Sequence, residues 1–180
     1  MSEKTKKFLK EASFYVIVIA VAVLVRVVLL VNAYTPTGSM EDTIPVDSRH
    51  LGLKCAYWFS GPERGDIVVF DSPVKEETEY LKRVIGLPGE TVEIKAGKVY
   101  VDGTLLEEDY LKETPRAEDL GPFHVPEDCV FVMGDNRNNS SDSRYWGDAS
   151  DPDDPLHYVQ IDTILGKQYL LYWPNIKWLY

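Results

Sequence analysis

The sequence predicts a mainly β protein: one N-terminal transmembrane helix followed by an antiparallel β-sandwich or barrel-like domain. Three observations predict it. An apolar run of 18 residues lies near the N-terminus. Beyond it, short β-branched stretches recur between turn residues, the pattern of an antiparallel sheet protein. The charge also changes sign between the two parts. Residues 1–33 carry five basic and two acidic residues, whereas the remainder carries 14 basic and 27 acidic ones. With 180 residues and 44% hydrophobic content, the chain can build one core of ordinary size.

The apolar run, Phe14 to Val31, reads FYVIVIAVAVLVRVVLLV, with Arg26 as its one charge. As a helix it would span roughly 27 Å, close to the ~30 Å hydrocarbon core of a bilayer. Arg26 lies five residues from its end, where a long side chain can reach the headgroups. Lys4, Lys6, Lys7 and Lys10 all precede the run. By the positive-inside rule residues 1–13 are then a cytoplasmic N-terminus, 14–32 the anchor, and 33–180 an extracytoplasmic domain at the cell membrane. A cleaved leader is the rival reading, since Val31-Asn32-Ala33 offers small residues for cleavage after Ala33. The run, however, exceeds the roughly 7–15 apolar residues of such a leader.

The strands follow in order. GDIVVFDSP (65–73) and TEYLKRVIG (78–86) are apolar stretches bounded by turn residues. TVEIKAGKVYVDGTLL (91–106) alternates apolar and polar residues, with Ala96-Gly97 and Asp102-Gly103 at turn positions; it reads as a hairpin and a continuation. CVFVMGD (129–135) and TILGKQYLLYWP (163–174) complete the set. KETPRAEDLGPFHVPED (112–128) reads as a Pro-rich polar connection, and GDASDPDDPLHY (147–158) as an acidic solvated loop.

Composition excludes several functions. An acidic domain lacks the basic face that nucleic-acid binding requires. Cys55 and Cys129 lack metal-ligand spacing and read as free thiols, although an extracytoplasmic setting would allow them to pair. His50, His124 and His157 are scattered, and Asp151, Asp153 and Asp154 do not match a calcium loop. No cofactor or metal motif is present.

Chemistry concentrates in three places. YTPTGSMEDTI (34–44) begins just after the anchor, and Pro36 and Gly38 there hold Ser39 in a turn. A serine hydroxyl needs a base to act as a nucleophile. On a strand Lys82 shares a face with Tyr80 and Val84, where its amine can be desolvated. Burial lowers a lysine pKa by up to roughly 3–5 units, enough to make it a base near neutrality. The residue alone equally allows a charged lysine at a sheet edge. MGDNRNNSSDSRYWG (133–147) is dense in residues that build polar networks, and Asp142 and Arg144 within it can pair. A polar surface loop has the same composition.

Together these pieces resemble the bacterial type I signal peptidases, membrane-bound Ser-Lys serine endopeptidases of secretion. The resemblance rests on PTGSM (36–40), RGDIVVF (64–70), YLKRVIGLPGE (80–90), VPEDCVFVMGDNRNNSSDSRYWG (125–147) and ILGKQYLLYWP (164–174), in order along the chain. It implies Ser39 as nucleophile and Lys82 as general base. It implies an oxyanion hole from the Thr37 hydroxyl and the Ser39 N–H. Ser140 would orient the Lys82 amine, with Asp142 and Arg144 as a supporting ion pair. Thr37 stands where many members have serine, Asp42 where they often have proline, and Asn138 where aspartate is common. The stretch between Gly147 and Tyr158 resembles an insertion.

The partners so implied are preprotein signal peptides and the lipid bilayer, with a secretion translocon as a candidate and nucleic acid excluded. Seven residues separate Asn32 from Ser39, at most about 25 Å of extended chain, which keeps Ser39 near the outer membrane surface. There a signal peptide with an A-x-A site would lie extended along strand edges flanking Ser39 and Lys82. The aromatics Tyr57, Trp58, Phe59, Tyr172, Trp173, Trp178 and Tyr180 suit a bilayer interface or a core. Two other readings stand beside this one: a self-cleaving Ser-Lys protease, and a tethered β-domain that binds extracellular partners without catalysis.

Overall fold

The computed structural model describes residues 2–179. Helix α1 covers Glu3–Leu29, and the Ser2 hydroxyl caps it by accepting from Thr5 N. The side chains of its apolar stretch are exposed all round, and the helix meets the rest of the fold only near its C-terminal end, at β1 and the turn Lys54–Tyr57.

The helix stops before the apolar run does. Leu30–Thr35 form strand β1, which pairs antiparallel with β2 (Ser48–Leu53). Residues 30–32, which hydropathy groups with the anchor, therefore belong to the sheet. Leu and Val suit either setting; pairing decides. Leu30 lies opposite Leu53, Asn32 opposite Leu51, and the Val31 side chain enters the core beside Gly166. Lys54 Nζ donates to Val27 O at 3.1 Å and satisfies one of the last helical carbonyls.

The chain continues through β3 (Ile67–Asp71), β4 (Glu79–Gly86), β5 (Thr91–Lys95), β6 (Lys98–Val101), β7 (Thr104–Leu105) and β8 (Leu120–His124). It closes with β9 (Cys129–Met133), β10 (Val159–Gln160), β11 (Ile164–Trp173) and β12 (Lys177–Trp178). The larger sheet runs β1-β2-β11-β3-β4-β9-β10, with β12 added to β11, and the smaller runs β7-β6-β5-β8. Every strand pair is antiparallel. The tight turns expected at Ala96-Gly97 and Asp102-Gly103 are present, with φ of +49°, +79°, +48° and +77°, the left-handed pairs of hairpin turns.

Strand β8 lies inside the stretch that reads as a Pro-rich connection. Only Phe123 of its five residues is buried, so a period-2 pattern has nothing to register. Strand β2 likewise carries no apolar pattern in the sequence, because its buried positions are Ser48, His50 and Gly52. Gly52 is there for space: a Cβ would lie 2.4 Å from Lys167 O.

Three apolar clusters hold these layers. Ile85, Val92, Ile94, Phe123 and Phe131 meet in the first. Val68, Phe70, Val84, Val132 and Trp146 form the second. Met40, Ile44, Ile67, Leu171 and Leu179 form the third. Strand β4 feeds all three, through Ile85, Val84 and Leu81 respectively. Lys82 thus sits on a strand that all three clusters hold. Cys55 and Cys129 are free thiols, and burial first, then Asp128, pushes the Cys129 thiol up to about 12. The carboxylates of the 147–158 stretch accept from backbone N–H groups of their own turns, as Asp154 does from Asp148 N and Leu156 N.

Phe70 is fully buried and lies edge-on to Tyr80 and against Trp146. Phe70→Ala is expected to lower unfolding free energy by about 3–5 kcal/mol in denaturant titration, through lost contacts and a cavity beneath β4.

Candidate active site

Two segments meet to make the site. The turn after β1 carries Thr37, Gly38 and Ser39, and the first half of β4 carries Tyr80, Leu81 and Lys82. Met40 and Ile44, both fully buried, pin the first segment from below. Ile44 N donates to Met40 O at 2.8 Å, and Glu41 N to Gly38 O at 3.3 Å, so the stretch around Asp42 is a closed turn.

Lys82 Nζ donates to Ser39 Oγ at 2.9 Å. Ser39 is 8% exposed and Lys82 5%. The amine also lies 5.6 Å from the centre of the Tyr80 ring, on the face that strand periodicity assigns it. Burial lowers the Lys82 pKa to about 8; the carboxylates of Asp142 and Asp135 pull upward against this, and Arg144 adds to the lowering. An amine that would hold its proton in water is thus half neutral near pH 8.

A polar network surrounds the pair. Arg144 grips Asp142 through Nε at 2.8 Å and Nη2 at 2.9 Å, and Gly134 N donates to Asp142 Oδ2 at 3.0 Å. Burial opposes ionisation of Asp142, but the charge of Arg144 and these donors outweigh it and hold the carboxyl below its usual range. Ser140 Oγ is buried and makes no hydrogen bond of good geometry to Lys82 or another group among the described residues, although it lies close enough to Asp142 to help keep that carboxyl ionised. Thr37 is exposed beside Ser39.

Four residues that sequence reasoning left unassigned support this geometry. Asp135 accepts from Arg83 Nε at 2.8 Å and Nη2 at 2.7 Å, and from Thr43 Oγ1 at 2.5 Å, which joins β4 to the turn after Ser39. Asn136 donates from N to Ser39 O at 3.0 Å and from Nδ2 to Gly38 O at 2.9 Å. Arg137 Nε donates to Gly134 O at 3.0 Å. At Gly134 a Cβ would lie 2.3 Å from Ser140 Oγ and 2.5 Å from Ser39 O, so only glycine lets the two approach. The dense polar run 133–147 was the available signal, but it does not say which members are buried.

A groove of about 470 Å³ opens above the pair. Ala33, Tyr34, Thr35 and Thr37 line one side and Tyr80, Leu81 and Lys82 the other. Both strands offer backbone there. β1 is at the sheet edge, and β9 pairs with β4 only from Arg83 onward, which leaves Glu79–Lys82 open on that side.

None of the histidines is placed to serve Ser39. His50 shares Nε2 with Thr35 Oγ1 and Nδ1 with Gln168 Oε1, both at 2.8 Å, and burial lowers its pKa. His124 is exposed on the smaller sheet beside Thr91, and His157 Nδ1 donates to Ser143 O at 2.6 Å.

The Lys82 environment makes folding pH-dependent. Below pH 8 both folded and unfolded chains hold this proton, and the fold bears the cost of a buried charge. Between about 8 and 10.5 the unfolded chain binds more protons, so stability rises with pH. The gain across that window is up to about 3 kcal/mol. Unfolding titrations of wild type and Lys82→Met are expected to differ by that pH-dependent amount. Gly134→Ala is expected to lose most activity through displacement of Ser39 or Ser140, read as turnover by folded protein.

The model of the family described as "Signal peptidase, peptidase S26" matches residues 8–173. A probable signal peptidase I-2 from Synechocystis sp. is 37% identical, over 87% of this chain and 69% of its own length. Signal peptidase I from Leptolyngbya laminosa is 38% identical, over 87% of this chain and 75% of its own. A crystal structure of a signal peptidase I from Enterococcus faecalis V583 is 35% identical, covering 59% of this chain and 95% of that one, with a TM-score of 0.48. The chain belongs to the signal peptidase family, peptidase S26, and is a serine peptidase.

Proposed function

We propose that the protein is a membrane-anchored endopeptidase that removes signal peptides from exported preproteins, with Ser39 as nucleophile and Lys82 as general base. The observation that carries this reading is the 2.9 Å contact between two buried groups, Lys82 Nζ and Ser39 Oγ, on the floor of an open groove. The neutral amine accepts the Ser39 hydroxyl proton as Oγ attacks the scissile carbonyl. The Ser39 N–H and the Thr37 hydroxyl stabilise the oxyanion. The Lys82 ammonium then protonates the leaving amine, and the neutral amine activates the water that releases the acyl group. Ser140, whose buried hydroxyl has unused hydrogen-bonding capacity, orients the amine, and the Asp142–Arg144 pair fixes the wall behind it.

The substrate lies extended between the edge of β1 and the open part of β4, an addition of one strand. Val69, Tyr80 and Leu81 offer apolar lining suited to small A-x-A side chains. The exposed apolar helix α1 supports a single-pass anchor, with its lysines cytoplasmic and the domain outside. An exposed aromatic border supports contact of the domain with the outer bilayer surface: Phe59 is 97% exposed, with Trp58, Trp173 and Trp178 also outward. Tyr180, grouped with these by sequence, lies outside the described residues. Anchoring enzyme and substrate to one surface raises their effective concentration.

On a signal-peptide substrate, kcat/KM is expected to rise with pH to a plateau, with its midpoint near 8. Lys82→Ala is expected to abolish cleavage with the fold intact by circular dichroism. Full activity there, lost instead in a histidine variant, would overturn the reading. Thr37→Val is expected to lower kcat by roughly 10²-fold, and Thr37→Ser to retain most of it.

A further inference from the structure

We propose that the strap between β7 and β8, residues 106–119, is a positioning element for the reaction, acting through Glu108 and Tyr110. The inference rests on the Ser39–Lys82 reading above. The Glu108 carboxylate, 5% exposed, accepts from Arg137 Nη1 at 2.9 Å and Nη2 at 2.5 Å, and from the Tyr110 hydroxyl at 2.7 Å. The Arg83 guanidinium lies 4.0 Å from the centre of the Tyr110 ring. One turn of the strap therefore touches two arginines at once, and each leads to one half of the site. Arg83 follows Lys82 in β4 and holds Asp135, which in turn holds Thr43 in the turn after Ser39. Arg137 holds Gly134 O, and Gly134 is the spacer packed against Ser39 O and Ser140 Oγ.

Arg137 is 1% exposed and is held there by Glu108. A buried guanidinium without its acid would seek water or another acceptor, and its grip on Gly134 would loosen. Because the Ser39–Lys82 contact is a single hydrogen bond between two segments, a small relative shift alters the proton transfer without closing the groove.

The strap is docked independently at its far end. Asn138 Nδ2 donates to Thr114 O at 3.1 Å while its Oδ1 accepts from Arg116 N at 2.9 Å. Only an amide makes both bonds; the aspartate common at this position in the family would lose the first. Arg144 Nη1 donates to Glu118 Oε1 at 2.9 Å, so the arginine that grips Asp142 also grips the strap. Lys112 pairs with Glu41, two residues after Ser39, at 2.6 Å.

The test uses the full chain in detergent or vesicles and a peptide bearing a signal-peptide cleavage site, with rates expressed per folded protein. Glu108→Gln and Tyr110→Leu are expected to lower kcat about tenfold to a hundredfold, with KM within about twofold, the signature of misplaced reacting groups rather than lost binding. Asn138→Asp, at a half-exposed site, is expected to show the same split to a smaller degree and covers the case in which a buried variant fails to fold. Glu107→Gln, an exposed charge change next door, is expected to behave as wild type. Two results overturn the proposal: kcat within about twofold of wild type in the folded variants while their melting temperature falls, or a rise in KM with kcat unchanged. Lys82→Ala, run alongside, reads the dyad separately. Cleavage retained there refutes the dyad, whereas the strap stands or falls on its own kcat values.

Discussion

The dependence of the site on one desolvated amine organises most of the molecule. A lysine in water is a cation and cannot take a proton. Lys82 is 5% exposed, and burial brings its pKa to about 8. This works only if the surrounding wall is dry and fixed. Tyr80 and Val84 flank the amine on its own face, and the strand that carries it is packed into three apolar clusters. Two nearby carboxylates, Asp142 and Asp135, would undo the effect if left free, because each raises the lysine pKa. Each is instead neutralised by a two-pronged arginine, Arg144 and Arg83. The pairs keep negative charge near enough to build a scaffold while moderating its pull on the amine.

The second requirement of the proposed chemistry is that Ser39 be held from both sides. Ser39 carries no secondary structure of its own. Its backbone is fixed by Asn136, and the buried Met40 and Ile44 anchor the chain that follows. Most of these contacts come from the loop after β9, which also supplies Gly134, Ser140, Asp142 and Arg144. The geometry of the pair is therefore the relative position of β4 and one loop. That explains why so many buried ion pairs crowd that joint. Their net contribution to stability is small or uncertain, but their directionality fixes register.

The sequence made the strands legible wherever burial followed the two-residue period, as in β5 and β6, or formed a short apolar run, as in β3, β4 and β9. It concealed β2 and β8 because their inward residues are polar or few: Ser48, His50 and Gly52 in one, Phe123 alone in the other. It also blurred the end of α1, since hydropathy does not distinguish an outward-facing Val27 from a core-facing Val31. The resemblance placed Ser39 and Lys82 in one site, and the fold brings their atoms to hydrogen-bond distance. Asp135, Asn136 and Arg137 sat in a run whose composition also describes a surface loop. The strap was still less visible: Glu108 is an ordinary acid in sequence and acquires meaning only from the buried Arg137 it meets.

The claim on which this account stands is that the amine of residue 82 loses its proton near neutrality in the folded protein. Lysine labelled with 15N and 13C, with Lys82 assigned by its absence in Lys82→Met, reports that directly through the Nζ and Cε shifts across a pH titration. The account predicts a midpoint near 8 for Lys82, well below the ~10.4 of a free lysine. A Lys82 midpoint indistinguishable from that of free lysine would contradict it.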